Sequence, residues 1–188
     1  MISEQRKNEL ACVMQWAICA GDHYYFEMDQ VDFDECMEDH EGEEYYNAYV
    51  RQRTVGLEVF QHEVAAQIMA IDDAKALHSM LVDYNYDDGT WALEQVLMNP
   101  HCAIATARMV YWLMEPGYYY DNFGGPQQTP QDSINSSAAQ LLTKIEEKTA
   151  AGLFQSELQV EKEEDIVPKR DDSPPYNQIP TVLWKPVS

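Results

Sequence analysis

Basic residues are scarce in this chain: 12 Lys and Arg stand against 33 Asp and Glu in 188 residues, a formal charge of -21 with a pI near 4.3. A surface so short of cations has no footprint for the phosphates of DNA or RNA or for anionic lipid, so nucleic acid and membrane are excluded as partners and a basic protein or a cation is favoured. Long apolar runs are missing too. None approaches the roughly 18 residues of a membrane span, and Met1 to Asn8 lead into an amphipathic pattern rather than a signal peptide, so the expected location is cytoplasmic. Cys12, Cys19, Cys36 and Cys102 include no C-x-x-C pair, which argues against zinc and for buried free thiols. His23, His40, His62, His78 and His101 are scattered, and His62-Glu63 lacks the second His of a zinc-protease helix. There is no G-x-S-x-G, no phosphate-cradling glycine loop, and no Cys or Ser with a visible base partner. The expectation is a protein that is not an enzyme, with no catalytic residues, no bound metal and no cofactor.

What is present suffices for a folded domain. The chain is 45% hydrophobic, with four Trp and twelve Tyr, and a domain of this size buries about 70% of its unfolded surface. The pattern is all-α: no run of alternating β-branched residues is long enough to build a sheet, and no 20- to 50-residue period repeats. Leu10, Val13, Met14, Ala17 and Ile18 stripe a first helix between Ser3 as cap and Gly21 as stop. A second pattern runs from about Glu43 through Tyr46, Tyr49 and Val50 to Leu57, Phe60, Val64, Ile68 and Ile71, with Gly56 as its break. Asp73 opens a third helix over Leu77, Met80, Leu81 and Tyr84. Thr90 caps a fourth with Trp91, Val96 and Leu97 inward, and after Asn99-Pro100 a fifth follows over Ile104, Ala107, Tyr111 and Met114. Pro116 to Pro130 reads as a Tyr-, Gly- and Gln-rich loop. Thr129-Pro130-Gln131-Asp132 has the cap, N1 proline and N3 acid of a sixth helix, striped by Ile134, Ala138, Leu141 and Ile145 and ended at Gly152. Residues 1–160 are expected to form a single compact bundle, and 161–188 a charged, proline-rich tail pinned by Thr181-Val182-Leu183-Trp184.

The densest feature is acidic. Asp22, Glu27, Asp29, Asp32, Asp34, Glu35, Glu38, Asp39, Glu41, Glu43 and Glu44 fall in one stretch without a Lys or Arg among them. Such self-repulsion has to be offset by a cation, a basic partner, or solvation and salt. A solvated face or mobile loop is one reading. The other is an interface, because Tyr24, Tyr25, Phe26, Met28, Phe33, Met37, Tyr45 and Tyr46 are interleaved, and aromatic anchors with surrounding charge supply buried area and steering. The candidate partner-binding residues are Asp29, Asp32, Phe33, Asp34, Glu35, Glu38, Asp39, Glu41, Glu43 and Glu44. Tyr118-Tyr119-Tyr120 before Gly124-Gly125 reads either as a second exposed patch or as loop packing.

Between the third and fourth helices, Asp83, Asn85, Asp87 and Glu94 fall at positions 1, 3, 5 and 12 of an EF-hand loop. Position 6, where a positive φ calls for Gly, is Asp88, and the Gly has slipped to position 7. That favours an Asx turn whose side chains cap backbone N–H groups. The same region, His78 to Met114, resembles the bacterial family known as domain of unknown function 4274, through Asn85-Tyr86-Asp87-Asp88-Gly89, Asn99-Pro100-His101-Cys102, Ala105-Thr106-Ala107 and Tyr111-Trp112-Leu113. The resemblance implies a small helical bacterial protein and brings no catalytic residues. Families of this kind look like immunity proteins encoded beside secreted toxins, so the leading expectation is an acidic inhibitor that occludes the basic cleft of a cognate toxin. A calcium- or magnesium-binding helical module and an enzyme with an unrecognised site are the alternatives.

The turn and the calcium loop predict opposite results in a melting experiment. A ligand that binds only the folded state raises Tm by mass action, so calcium should leave Tm unchanged if Asp83 to Glu94 is a plain turn. Micromolar calcium binding that disappears in Glu94→Gln would establish the metal loop instead.

Overall fold

The computed structural model describes residues 2–38, 44–155, 158 and 166–184. They divide into two compact units, Met1–Asp72 with Val82–Asn99, and Asp73–Leu81 with Pro100–Ser188. The described residues are all-α, and their one β-bridge pairs Ala103 with Gln155.

In the first unit, α1 (Glu4–Gly21) starts where the Ser3 side chain accepts the Arg6 N–H and buries Leu10, Met14 and Ala17. Two short helices follow, α2 (Tyr24–Glu27) and α3 (Gln30–Met37). The second pattern splits at Gly56, whose φ of 91° is open to glycine and strained for other residues, into α4 (Glu44–Val55) and α5 (Leu57–Met69). Both helices pack on α1, and Phe60, Val64 and Ile68 are fully buried. The Asn99 amide closes the unit by donating to Ile68 O and Ile71 O at 2.8 and 3.0 Å. Before it comes α7 (Trp91–Met98), which starts without a side-chain cap from Thr90. Its Trp91 lies against Gly21, where an added Cβ would meet the Trp91 Cβ at 2.9 Å.

The second unit holds α6 (Ala74–Leu81), α8 (Ile104–Leu113), α9 (Pro116–Phe123) and α10 (Ser136–Ala150). Helix α9 corrects the expected loop. Pro116 starts it at N1 after Glu115 turns the chain with φ 52°, Gly124 ends it in the left-handed conformation, and burial of Tyr119 and Tyr120 supplies the packing that the polar composition hid. The Tyr118–Tyr120 run is therefore mostly interior, with Tyr118 alone among the three exposed. Helix α10 begins six residues later than Pro130 suggested. Turn bonds from Ser133 N to Pro130 O and from Ser136 N to Ser133 O take the place of its first turn, and Ile134 is left 97% exposed rather than on the stripe. Gly152 has the expected positive φ of 65°. The Thr181–Trp184 segment is pinned as expected: Arg108 Nε donates to Val182 O at 2.9 Å, Trp112 Nε1 donates to Leu183 O, and the Trp112 and Trp184 rings meet at 4.6 Å.

Inside this unit Glu146 is buried as a carboxylate acceptor. Tyr111 and Tyr120 donate their hydroxyls to Oε1 at 2.6 and 2.9 Å, and Gln127 Nε2 donates to Oε2 at 3.1 Å. Burial pushes the Glu146 carboxyl up despite these three bonds, which pull it down. The folded state therefore holds this proton more tightly than the unfolded chain. This group's contribution to stability is greatest at or below its ordinary value near 4.5 and declines as pH rises through the raised value. Urea midpoints of the wild type should fall across that interval relative to those of Glu146→Gln. Parallel pH curves for the two proteins would show that burial does not perturb Glu146.

Candidate functional site

The acidic stretch is organised by a cation from outside it. Arg53, on α4, donates through Nη1 to Tyr25 O at 2.6 Å and Met28 O at 2.7 Å, and through Nη2 to Gln30 Oε1 at 3.3 Å. Its guanidinium also lies 4.4 Å over the Phe33 ring. These contacts fix the bend between α2 and α3. Asp29 then caps α3, its Oδ1 accepting the N–H groups of Val31 and Asp32 at 2.9 and 3.0 Å. Asp22 accepts Tyr24 N and the Tyr49 hydroxyl, both at 2.9 Å, while Gln52 Nε2 donates to Cys19 O and Asp22 O at 2.7 and 3.0 Å. Burial pushes the Cys19 thiol up to about 12, so it stays protonated and serves as packing. Burial likewise raises the Tyr49 phenol, with the Cys19 and Asp22 groups adding to the effect.

The anticipated interface residues separate into groups. Asp32, Asp34, Glu35 and Glu38 are exposed on the outer side of α3, with Gln30 Nε2 donating to Asp34 Oδ1 at 2.7 Å. Phe33 and Met37 are 3% and 2% exposed on its inner side, so Phe33 is a core residue under Arg53 and not an outward anchor. Asp29 spends one oxygen on its cap. Glu44 accepts Trp16 Nε1 at 3.2 Å and the Cys12 thiol at 3.4 Å, which ties it to α1. Asp39, Glu41 and Glu43 lie outside the described residues. Exposed apolar area in this stretch comes from Tyr24 on α2 and Val31 on α3, 66% and 67% exposed.

A feature that the linear pattern did not disclose is a cavity of 610 Å³ in this same unit, where Asp22, Tyr25, Tyr45 and Tyr49 meet Asp87 and Asp88. The second pair belongs to the Asn85–Gly89 turn, about forty residues on in the sequence. No periodicity links the two segments, and their shared wealth of Asp and Tyr is the only sequence trace of the meeting. The turn has the Asx form: Asn85 Oδ1 accepts Asp87 N at 3.3 Å, Asn85 Nδ2 donates to Asp88 Oδ1 at 3.1 Å, and Tyr84 donates to Gly89 O at 2.8 Å. Asn85, which a calcium loop needs as a ligand, thus uses both side-chain groups within the turn. Among the described residues, no three His, Cys, Asp or Glu side chains stand together as a metal site.

Residues 72–150 match the model of a family described as "Domain of unknown function (DUF4274)", a segment wider than the motifs between His78 and Met114. It takes in Asp87 and Asp88 but none of the α3 carboxylates. No curated protein and no solved structure matches the chain. No described helix is long and apolar enough to cross a membrane.

The dependence on Arg53 is open to direct measurement. Arg53→Lys keeps the charge but loses the planar fork that spans Tyr25 O, Met28 O and Gln30. It should cost about 1.5–3 kcal/mol, the usual worth of a charged hydrogen bond, and should speed limited proteolysis near residues 22–38. Unchanged cleavage there would show that α2 and α3 are held by apolar packing alone.

Proposed function

We propose that this protein is an acidic immunity protein, one that binds and neutralises a cognate bacterial toxin by covering a basic active-site cleft. The observation that carries the reading is the outer side of α3: Asp32, Asp34, Glu35 and Glu38 are exposed, while Arg53, the cation packed against this helix, is directed to backbone carbonyls and the Phe33 ring. Charge left in this arrangement attracts a cationic surface. Steering of that kind raises association rates by roughly tenfold to a thousandfold over a neutral encounter.

A toxin that acts on nucleic acid or nucleotides has to be cationic where it holds phosphate, so a carboxylate-rich helix competes for the same field. Tyr24 and Val31 add the apolar contact that turns an encounter into a lasting complex, because desolvated aromatic and aliphatic area slows dissociation. The protein on this reading has no catalytic group, and its work is done in the cytoplasm, where a toxin-producing cell needs protection from its own product.

The test neutralises Asp32, Asp34, Glu35 and Glu38 to Asn or Gln. These four side chains are exposed, so the helical fold should persist. Co-expression with the product of the adjacent gene should show protection by the wild type and its loss in the variant. Association of the purified proteins should slow by about tenfold or more at low salt and lose most of its salt dependence. Protection and wild-type affinity in the charge-neutralised protein would remove α3 from the interface.

A further inference from the structure

We propose that the 610 Å³ cavity of the first unit binds an organic cation, a guanidinium or ammonium group, and that in the complex this group is an arginine or lysine side chain of the basic partner. Only the source of the cation rests on the function proposed above. The binding chemistry stands on the cavity itself.

Three carboxylates and three phenol rings line the space: Asp22, Asp87 and Asp88 with Tyr25, Tyr45 and Tyr49. No basic side chain is among the described residues of the wall. The contrast with the second unit is informative, because a cavity of 520 Å³ there has Lys144 as well as Glu147 in its wall. Asp22 is held in place by the Tyr49 hydroxyl at 2.9 Å, and the Tyr25 and Tyr49 rings meet at 4.5 Å with their planes 53° apart. Aromatic faces carry the negative end of the ring quadrupole, so rings and carboxylates favour the same sign of guest.

The walls also discriminate between cations. A bare divalent ion wants several oxygens converging at about 2.0–2.6 Å, and the described residues show no such metal-holding group. A flat, weakly hydrated guanidinium instead gains from a ring face and a carboxylate edge together. The unit already holds one guanidinium in a related way, since Arg53 lies over Phe33 with carbonyl oxygens at its edge. The position of the cavity points to a protein as the source. Met37, on the inner side of α3, is part of the wall, so the cavity adjoins the helix whose outer side the partner is proposed to cover.

The experiment titrates the full-length protein with N-acetylarginine methylamide and with its citrulline counterpart, read by calorimetry and by the tyrosine ring signals in NMR. Saturable binding of the arginine compound with no response to citrulline is expected. Asp87→Asn with Asp88→Asn should weaken it about tenfold, with far-UV circular dichroism confirming that the helices persist. Equal responses to arginine and citrulline, no response to either, or unchanged affinity in the double variant would overturn the site. Putrescine, a cation with no peptide backbone, separates the sources: tighter binding of putrescine than of an arginine-containing peptide overturns the assignment to a protein partner. The variant neutralised on α3 retains Asp22, Asp87 and Asp88, so the two ideas fail separately. Arginine binding by a variant that still binds its partner normally removes the α3 interface and keeps the cavity. Loss of partner binding, in a protein whose cavity never takes arginine, does the reverse.

Discussion

Arg53 resolves the problem posed by the acidic stretch. Carboxylates packed this densely repel one another, and a local ion-pair lattice would have cancelled the charge along with the repulsion. The guanidinium takes a different course. Its strongest bonds go to Tyr25 O and Met28 O and its face goes to Phe33, so it orders the backbone of α2 and α3 without consuming the side chains of Asp32, Asp34, Glu35 and Glu38. Order and charge are supplied by different atoms. A helix can then display carboxylates in a fixed arrangement, which a solvated loop of the same composition cannot do.

That division also explains what the linear sequence revealed and what it concealed. The stripes of α1, α5, α6 and α7 were legible because each buries one face at a period of 3.6, and Gly56 and Gly152 were legible because their backbone angles require glycine. Helix α9 was not. Its stabilisation comes from two buried tyrosines, one of them donating to Glu146 from a distant helix, and neither signal is local. The capping pattern Thr129-Pro130-Gln131-Asp132 misled for a related reason, since Ser133 and Pro130 satisfy the same backbone groups with turns before Ser136. Phe33 looks like an anchor in the sequence because it sits among acids. Its partner, Arg53, is twenty residues away in sequence and one helix on.

The candidate site divides along the same line. The α3 carboxylates could be identified as a group because they fall within one short stretch of sequence, whereas the cavity could not, because Asp22, Tyr45 and Tyr49 reach Asp87 and Asp88 only through the packing of α1, α4 and α7. A residue's chemistry is written in its identity, but convergence is a property of the fold.

The family match sharpens this distinction. Residues 72–150 contain the Asn85–Gly89 turn, Glu146 and its tyrosine donors, but end short of α1 to α5 on the N-terminal side. The first unit therefore joins one strip of family sequence, Val82–Asn99, to a segment outside the match. The cavity wall is drawn from both sources: Asp87 and Asp88 from the family segment, and the tyrosines and Asp22 from the other. If recognition works through this cavity, the Asp-rich turn supplies charge that the matched segment carries in its own sequence, while the helices outside the match determine which cation fits beside it. Specificity for one partner over another then rests on the aromatic wall and on α3, where shape and charge can be altered without touching the buried core of the matched domain.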